Sequence, residues 1–244
     1  MEHSIVLAPE ILGFYKGLPI TNTLLVSWGA MIFLTFISLI TTWRVRAIPG
    51  GLQNLFELII DTGYKTVEDL SGSAKAKVFF PICFTFFLFI ITANWLGLFP
   101  GFGTITLDHK PLFRSINSDL NMTLSLALVS AFLTHAYAIY YLGIVDYFKK
   151  WFSLTMFPVF LFVGFLEIIS EITKVVSLSF RLFGNIFAGE VVLTTVATLS
   201  PATAFLIPLP FYFLEIIVGF VQAAVFMMLT LVFMVLLSEK HEAH

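Results

Sequence analysis

Apolar residues fill several long stretches of this chain almost without interruption, and the polar positions between them mark out the elements. The first stretch, Thr21–Trp43, suits one membrane-crossing helix of about 20 residues. It is closed by Arg44 and Arg46 and then by the breaker Pro49-Gly50-Gly51. Over residues 52–70 the pattern changes: Phe56, Leu58, Ile59 and Ile60 are interleaved with Glu57, Asp61, Lys65, Glu68 and Asp69. That many charges are costly in hydrocarbon, so an amphipathic helix lying at the interface is expected there. A second span follows over residues 76–98, with the polar Asn94 near its end and Pro100-Gly101 beyond it. A polar loop leads to Asp119, which opens a third span over 119–142 as a cap or first-turn acid. The last apolar helix, over 211–237, runs into the polar tail SEKHEAH.

Residues 154–199 fit none of these. A continuous helix over that segment measures roughly 69 Å at 1.5 Å per residue, against about 30 Å of hydrocarbon. Two solutions are open: two short spans, or one long helix strongly tilted and bent, with Pro158, Gly164, Gly184 and Gly189 permitting the bends. A Pro-containing turn over 200–210 separates this segment from the last helix.

Composition narrows the class further. Hydrophobic residues make up 59% of the 244 and charged residues 11%, and mean hydropathy is +0.97. Those values belong to a polytopic membrane protein and leave no room for a separate soluble domain, so residues 1–244 form a single membrane domain. The net charge of -2 and the absence of a dense basic patch set nucleic acid aside as a partner. Cys83, the only cysteine, has no partner for an internal disulfide and reads as a small core residue. The acidic start MEHSIVLAPE has no basic n-region, so no removable signal peptide is expected.

With one net crossing over the long segment, eight Lys and Arg fall on the side of residues 44–77, 143–152 and the C-terminus, against three on the other side. The positive-inside rule therefore puts the C-terminus in the cytoplasm and residues 1–20 outside. Lys174 and Arg181 are the two basic residues left within the long segment.

Those two belong to a pattern. On a helical wheel Glu167, Glu171, Lys174, Arg181 and Asn185 form one stripe roughly 80° wide, with Glu190 off it. In the last helix Glu215 and Gln222 share a face two turns apart. Such groups can be buried salt bridges and amides that hold a helix hairpin together. In hydrocarbon, however, an Arg or Asp at a helix centre costs about 2.5–3.5 kcal/mol, and several in adjacent helices point to an ion path. Glu167, Glu171 and Lys174 are spaced for a local cluster, which for Glu171 and Lys174 fits structure as well as function. Arg181 has no acid at i±3 or i±4, so its partner lies elsewhere in the fold or on another protein.

His135, in FLTHAYA, is a proton-path candidate and equally a candidate for a satisfied core histidine. Asn94 and Asp119 suit a water-filled entrance or plain helix caps. No HExxH, phosphate-binding Gly-rich loop or haem-type His pair is present, so neither a catalytic site nor a cofactor is expected.

The run Ser179-Phe180-Arg181-Leu182-Phe183-Gly184-Asn185-Ile186-Phe187-Ala188-Gly189-Glu190, with Gln222-Ala223-Ala224-Val225-Phe226 downstream, resembles subunit a of the F-type ATP synthase. Asn94-Trp95-Leu96-Gly97-Leu98-Phe99-Pro100 and Asp119-Leu120-Asn121-Met122-Thr123-Leu124 match that family in order and position. The resemblance implies an all-α polytopic fold with four steep spanning helices, the C-terminal one included. It adds an interfacial amphipathic helix and a long tilted helix that forms a hairpin with the last. It implies a stator subunit without a nucleotide site, partnered by a c-subunit ring, b-type peripheral stalk subunits and the lipid bilayer of a bacterial inner membrane.

Arg181 would face the ring carboxylates between two offset half-channels. By the same resemblance Asn94, Asn185, Glu190, Glu215 and Gln222 would line the external one, with Glu167, Lys174 and Ser177 near the cytoplasmic one. Gln222 would also hydrogen-bond Arg181. Both Glu190 and Glu215 are acids here, where some members of the family carry a histidine in place of one; two nearby acids can share a proton. Protons are the default coupling ion, with sodium open. The competing reading is a self-contained ion-coupled secondary transporter or channel, although no internal repeat is visible.

Overall fold

The structure is a computed structural model, and it describes residues 9–43, 50–99, 106–107, 110–151, 159–199 and 207–239. The breaker at Pro49, the start of the long segment with Pro158, residues 200–206 and the tail beyond 239 lie outside the described residues. Six α-helices are described: α1 (Asn22–Trp43), α2 (Gly51–Gly97), α3 (Leu120–Leu142), α4 (Ile144–Trp151), α5 (Val159–Leu199) and α6 (Pro208–Ser238). All but α4 contain a stretch long and apolar enough to cross a membrane. The chain is an all-α polytopic membrane protein. Two short antiparallel hairpins that the sequence pattern did not announce, β1–β2 (Ile11–Tyr15 with Leu18–Thr21) and β3–β4 (Thr106–Leu107 with Lys110–Pro111), decorate it. The first turns through Lys16 and Gly17, both at positive φ, the two-residue geometry that matches strand twist.

The charged segment and the apolar run after it are two limbs of α2. They meet at Gly72, whose φ of 75° and ψ of 157° break the helix. The limbs fold back on each other there. Tyr64 meets Phe80 edge-on at 5.4 Å between ring centroids, and a Cβ on Gly63 would come within 3.0 Å of the Phe84 ring. Sixteen residues of straight helix would instead span about 24 Å. On the first limb Leu55, Leu58, Ile59 and Ile60 are exposed, whereas Val67 is fully buried against Phe79, Cys83, Met227 and Met234. Cys83 lies in this apolar core with its sulfur 3.9 Å from that of Met234.

The last helix starts at Pro208, so Pro208 and Pro210 both fall in its first turn, where the missing N–H groups have no intrahelical acceptor to lose. Its far end is held by Lys75, whose ammonium donates to the Ser238 hydroxyl at 3.1 Å and carbonyl at 3.4 Å. A cation there also complements the helix dipole.

The core that fixes α5 is small and specific. Leu178, Leu182 and Ile186 recur every four residues along one face and bury against Phe86 and Ile90 of α2, Ala127 of α3, and Ala223 and Phe226 of α6. At 41 residues, α5 is about 60 Å long, twice the hydrocarbon thickness. Small residues of α3 let it approach: Thr123 reaches the buried Ser179 of α5 at 3.2 Å, and Ser130 reaches Thr230 of α6 at 2.8 Å.

Gly72→Ala is expected to destabilise the fold by roughly 1–3 kcal/mol, because an L side chain is strained at that positive φ. A lowered midpoint in thermal aggregation of the detergent-solubilised protein would register the loss, and an unchanged midpoint would contradict it.

Candidate functional site

The inward face of α5 determines what its other face presents. With Leu178, Leu182 and Ile186 in the core, Ser177, Arg181 and Asn185 are exposed. The Arg181 guanidinium donates to Ser177 Oγ one turn earlier at 3.4 Å, and among the described residues no carboxylate lies within ion-pair range of it. The hydrogen bond expected between Gln222 and Arg181 is not made; Gln222 is half-buried on α6 and Arg181 turns along its own helix instead. Arg181 edges an open groove of about 410 Å³ between α5 and α6, with Ser170, Thr173, Lys174 and Ser177 along it and Leu229 and Phe233 opposite.

Toward the C-terminal end of α5 stand two acids. Glu190 of α5 and Glu215 of α6 are within electrostatic reach of each other. Glu215 is only 5% exposed, and one carboxylate oxygen of Glu190 is buried without a hydrogen-bond partner. Gly189 makes the approach possible: a Cβ there would overlap the Glu215 carboxylate.

One turn beyond Glu215, Gly219 receives the buried Asn94. Its amide donates to the Gly219 carbonyl at 2.9 Å and its oxygen accepts from Asn117 at 2.7 Å. Trp95 adds a bond to the Ile216 carbonyl at 3.2 Å, so the end of α2 is fastened to α6 just below the acids. Asp119 caps α3 by accepting from the Asn121 N–H at 2.9 Å and also accepts from Thr23 of α1 at 2.9 Å. Asp119 thus acts as a cap in this structure.

A second polar cluster stands on the other side of Arg181. Glu171 Oε1 accepts from Lys174 at 2.6 Å, while Oε2 faces His135 Nε2 of α3 at 3.7 Å. His135 Nδ1 in turn bonds the Tyr147 hydroxyl of α4 at 2.9 Å. Lys174 lies 5.2 Å above the Phe233 ring. The local cluster expected of Glu167, Glu171 and Lys174 therefore forms without Glu167, which makes no ion pair among the described residues, and gains His135 and Tyr147. No group of side chains among the described residues is arranged to hold a metal ion.

Residues 24–235 match the family profile described as ATP synthase A chain. The chain belongs to that family. Several bacterial relatives extend the match over nearly the whole length. The ATP synthase subunit a of Trichlorobacter lovleyi is 32% identical over 229 residues, covering 91% of this chain and 89% of the relative. That of Geobacter sulfurreducens is 34% identical over 223 residues, 89% of this chain and 87% of the relative. That of Helicobacter pylori is 33% identical over 231 residues, 91% and 92%. Membership in the ATP synthase A chain family agrees with the resemblance drawn from the Arg181 segment, and with a multi-pass membrane subunit concerned with ion transport and ATP synthesis.

Within this family member the structure gathers Asn94, Glu190 and Glu215 toward one end of the α5–α6 pair and Lys174 and Ser177 toward the other. Asn185 and Glu167 stand apart from both clusters. Sequence reasoning missed Asn117 and Tyr147. Nothing in the local pattern singles out Tyr147, but Asn117 stands two residues before the capping Asp119 and was within reach of the same argument.

In this ATP synthase A chain, Gly189→Ala should leave the fold intact, because the overlapping atoms are the movable end of Glu215. It should nevertheless displace that carboxylate by an ångström or more and lower ATP-driven ion pumping by roughly one to two orders of magnitude. Vesicle pumping assays beside a thermal-stability scan check both halves; normal pumping would show that the close approach has no functional weight.

Proposed function

We propose that this chain is the stator subunit of a rotary F-type ATP synthase and that it carries the two ion half-channels serving a ring of c subunits. The single observation that carries the reading is Arg181: a permanent cation on the outward face of an intramembrane helix, without an acid partner among the described residues. An unpaired charge at such a place is too costly to persist without a partner supplied from outside. A c-ring carboxylate passing the exposed face of α5 is that partner.

The mechanism follows from charge and geometry. Arg181 does not deprotonate in proteins, so it attracts a carboxylate without itself leaking a proton. At about 4 Å and an effective dielectric near 20 the attraction is roughly 4 kcal/mol, which favours ionisation of a carboxyl group as it arrives. The ring carboxyl gives up its ion on one side of Arg181 and takes one up on the other. Glu190 and Glu215, side by side and able to hold one proton between them, with Asn94, Asn185 and Gln222, form the external path. Glu167, Lys174 and Ser177, along the groove on the other side, form the cytoplasmic one. Each charge crossing 100 mV supplies about 2.3 kcal/mol, which turns the ring.

In this arrangement α5 lies tilted in the membrane, since its length is twice the hydrocarbon thickness. The N-terminus is external and the C-terminus cytoplasmic, in keeping with the basic residues of the sequence. The chain holds no nucleotide site of its own and couples to catalysis through the ring, with b-type peripheral stalk subunits holding it against rotation.

Arg181→Ala should abolish ATP-driven acidification of inverted membrane vesicles and ATP synthesis while the complex still assembles, as judged by co-purification of the ring. Substantial coupled pumping by an assembled Arg181→Ala complex would overturn the reading. Gln222→Leu should impair coupling less severely.

A further inference from the structure

Lys174, Leu178 and Phe233 form a wall with a space on each side. On one side is the open groove that holds Arg181; on the other is a small, partly open cavity of about 20 Å³ between α3, α5 and α6. The cavity is lined by Ser130, Thr134, His135, Glu171 and Lys174, besides apolar groups. That volume holds about one water molecule, and five polar side chains are enough partners for it. We propose that Glu171 and His135 are a proton-collecting pair at the cytoplasmic end of the Arg181 groove, exchanging protons between the aqueous phase and that groove through a single buried water.

The geometry divides the labour between the two oxygens of Glu171. Oε1 is taken by the Lys174 ammonium at 2.6 Å, which fixes the carboxylate in place and leaves Oε2 turned toward α3. Oε2 faces His135 Nε2 at 3.7 Å, too long for a direct hydrogen bond and suited to a bridging water or a small side-chain shift. The Tyr147 hydroxyl bonds His135 Nδ1 at 2.9 Å and holds the ring in place; in the tautomer with Nδ1–H donating to that oxygen, Nε2, turned toward Glu171, is the nitrogen that takes up the proton.

The His135 side chain is 29% exposed and that of Glu171 14%, so the imidazole is the more accessible member of the pair and, in the proposed relay, the one that meets the aqueous phase. In the step, His135 takes a proton from water at Nε2 and becomes imidazolium. It passes that proton to Glu171 Oε2 as an O–H bond forms and the N–H bond breaks. Glu171 then releases it to the groove beside Lys174 and Ser177. During synthesis the same transfers run in reverse. No other bond changes, and no oxidant or cofactor is required.

Among the described residues, the following charged and titratable groups face the pair. From α5 come Glu171 and Lys174 themselves; from α4 come Tyr147 and, preceding it, the exposed Asp146. The wall contributed by α6 is Phe233, and α3 adds only the hydroxyls of Ser130 and Thr134.

The inference rests on the ion-path reading of Arg181, and one experiment separates the two. ATP-driven acidification is measured in inverted vesicles, whose outer face is the cytoplasmic one. Wild type, His135→Gln, Glu171→Gln and Arg181→Ala are compared between about pH 6.5 and 8.5, with assembly verified by co-purification. For His135→Gln and Glu171→Gln the loss of rate should grow from about twofold at acidic pH to about tenfold at alkaline pH, where protons to collect are scarce. Added imidazole buffer should restore His135→Gln in part. A purely structural role would lower the rate by one factor at all pH values without rescue, and that result, or wild-type profiles in both variants, would overturn the proposal. Normal pumping by assembled Arg181→Ala would instead bring down the reading beneath it. If Glu171→Gln fails to assemble, His135→Gln and its rescue by imidazole decide alone.

Discussion

Everything in this structure turns on an arginine that keeps its charge and, among the described residues, has no acid to meet it. Three aliphatic residues, Leu178, Leu182 and Ile186, bury one face of α5 in a core shared by four helices. The helical repeat then carries Arg181 about 100° round the helix, off the buried face and into the open. The apolar contacts that stabilise the fold and the cation that they leave exposed are thus one geometric fact. A change that rotated α5 by a single position, about 100°, would turn the guanidinium into the core at a cost the core could not offset.

The surrounding helices serve that orientation by close approach rather than by bulk. Thr123 against Ser179, Ser130 against Thr230 and Asn94 against the Gly219 carbonyl are small polar contacts between helices. Lipid offers little hydrophobic drive for helices to pack together, so such contacts and small side chains do much of the holding. The same logic explains Gly189. Without a Cβ, it leaves the space that the Glu215 carboxylate occupies, so two acids from different helices stand together inside an apolar pair.

Much of this was legible in the sequence because the membrane imposes strong rules. Helix number and rough position follow from apolar length, and the stripe of Glu171, Lys174, Arg181 and Asn185 follows from the helical period. Partners were less legible, because they come from other helices. The period alone placed Glu167 with Glu171 and Lys174, but Glu171 found His135, 36 positions away in a different helix, and Glu167 was left out. Likewise the reach of Gln222 to Arg181 depends on side-chain direction, which the wheel does not encode; here the guanidinium lies along α5 toward Ser177. The fold-back at Gly72 was visible only as a change from charged to apolar residues, since a glycine at positive φ looks like any other glycine in a sequence.

The two polar clusters differ in kind. Glu190 and Glu215 are two acids brought together from different helices, and one Glu190 oxygen lies buried with no hydrogen-bond partner among the described residues. Glu171, by contrast, has a cation of its own helix on one oxygen and the imidazole of His135 near the other, and His135 links it on to Tyr147 of α4. Arg181 lies between the two clusters, with two acids from different helices on one side and an acid paired with a cation on the other. Under the ion path proposed above, that asymmetry means that a carboxyl group passing Arg181 would meet different partners before and after the same cation, whichever way the ring turns.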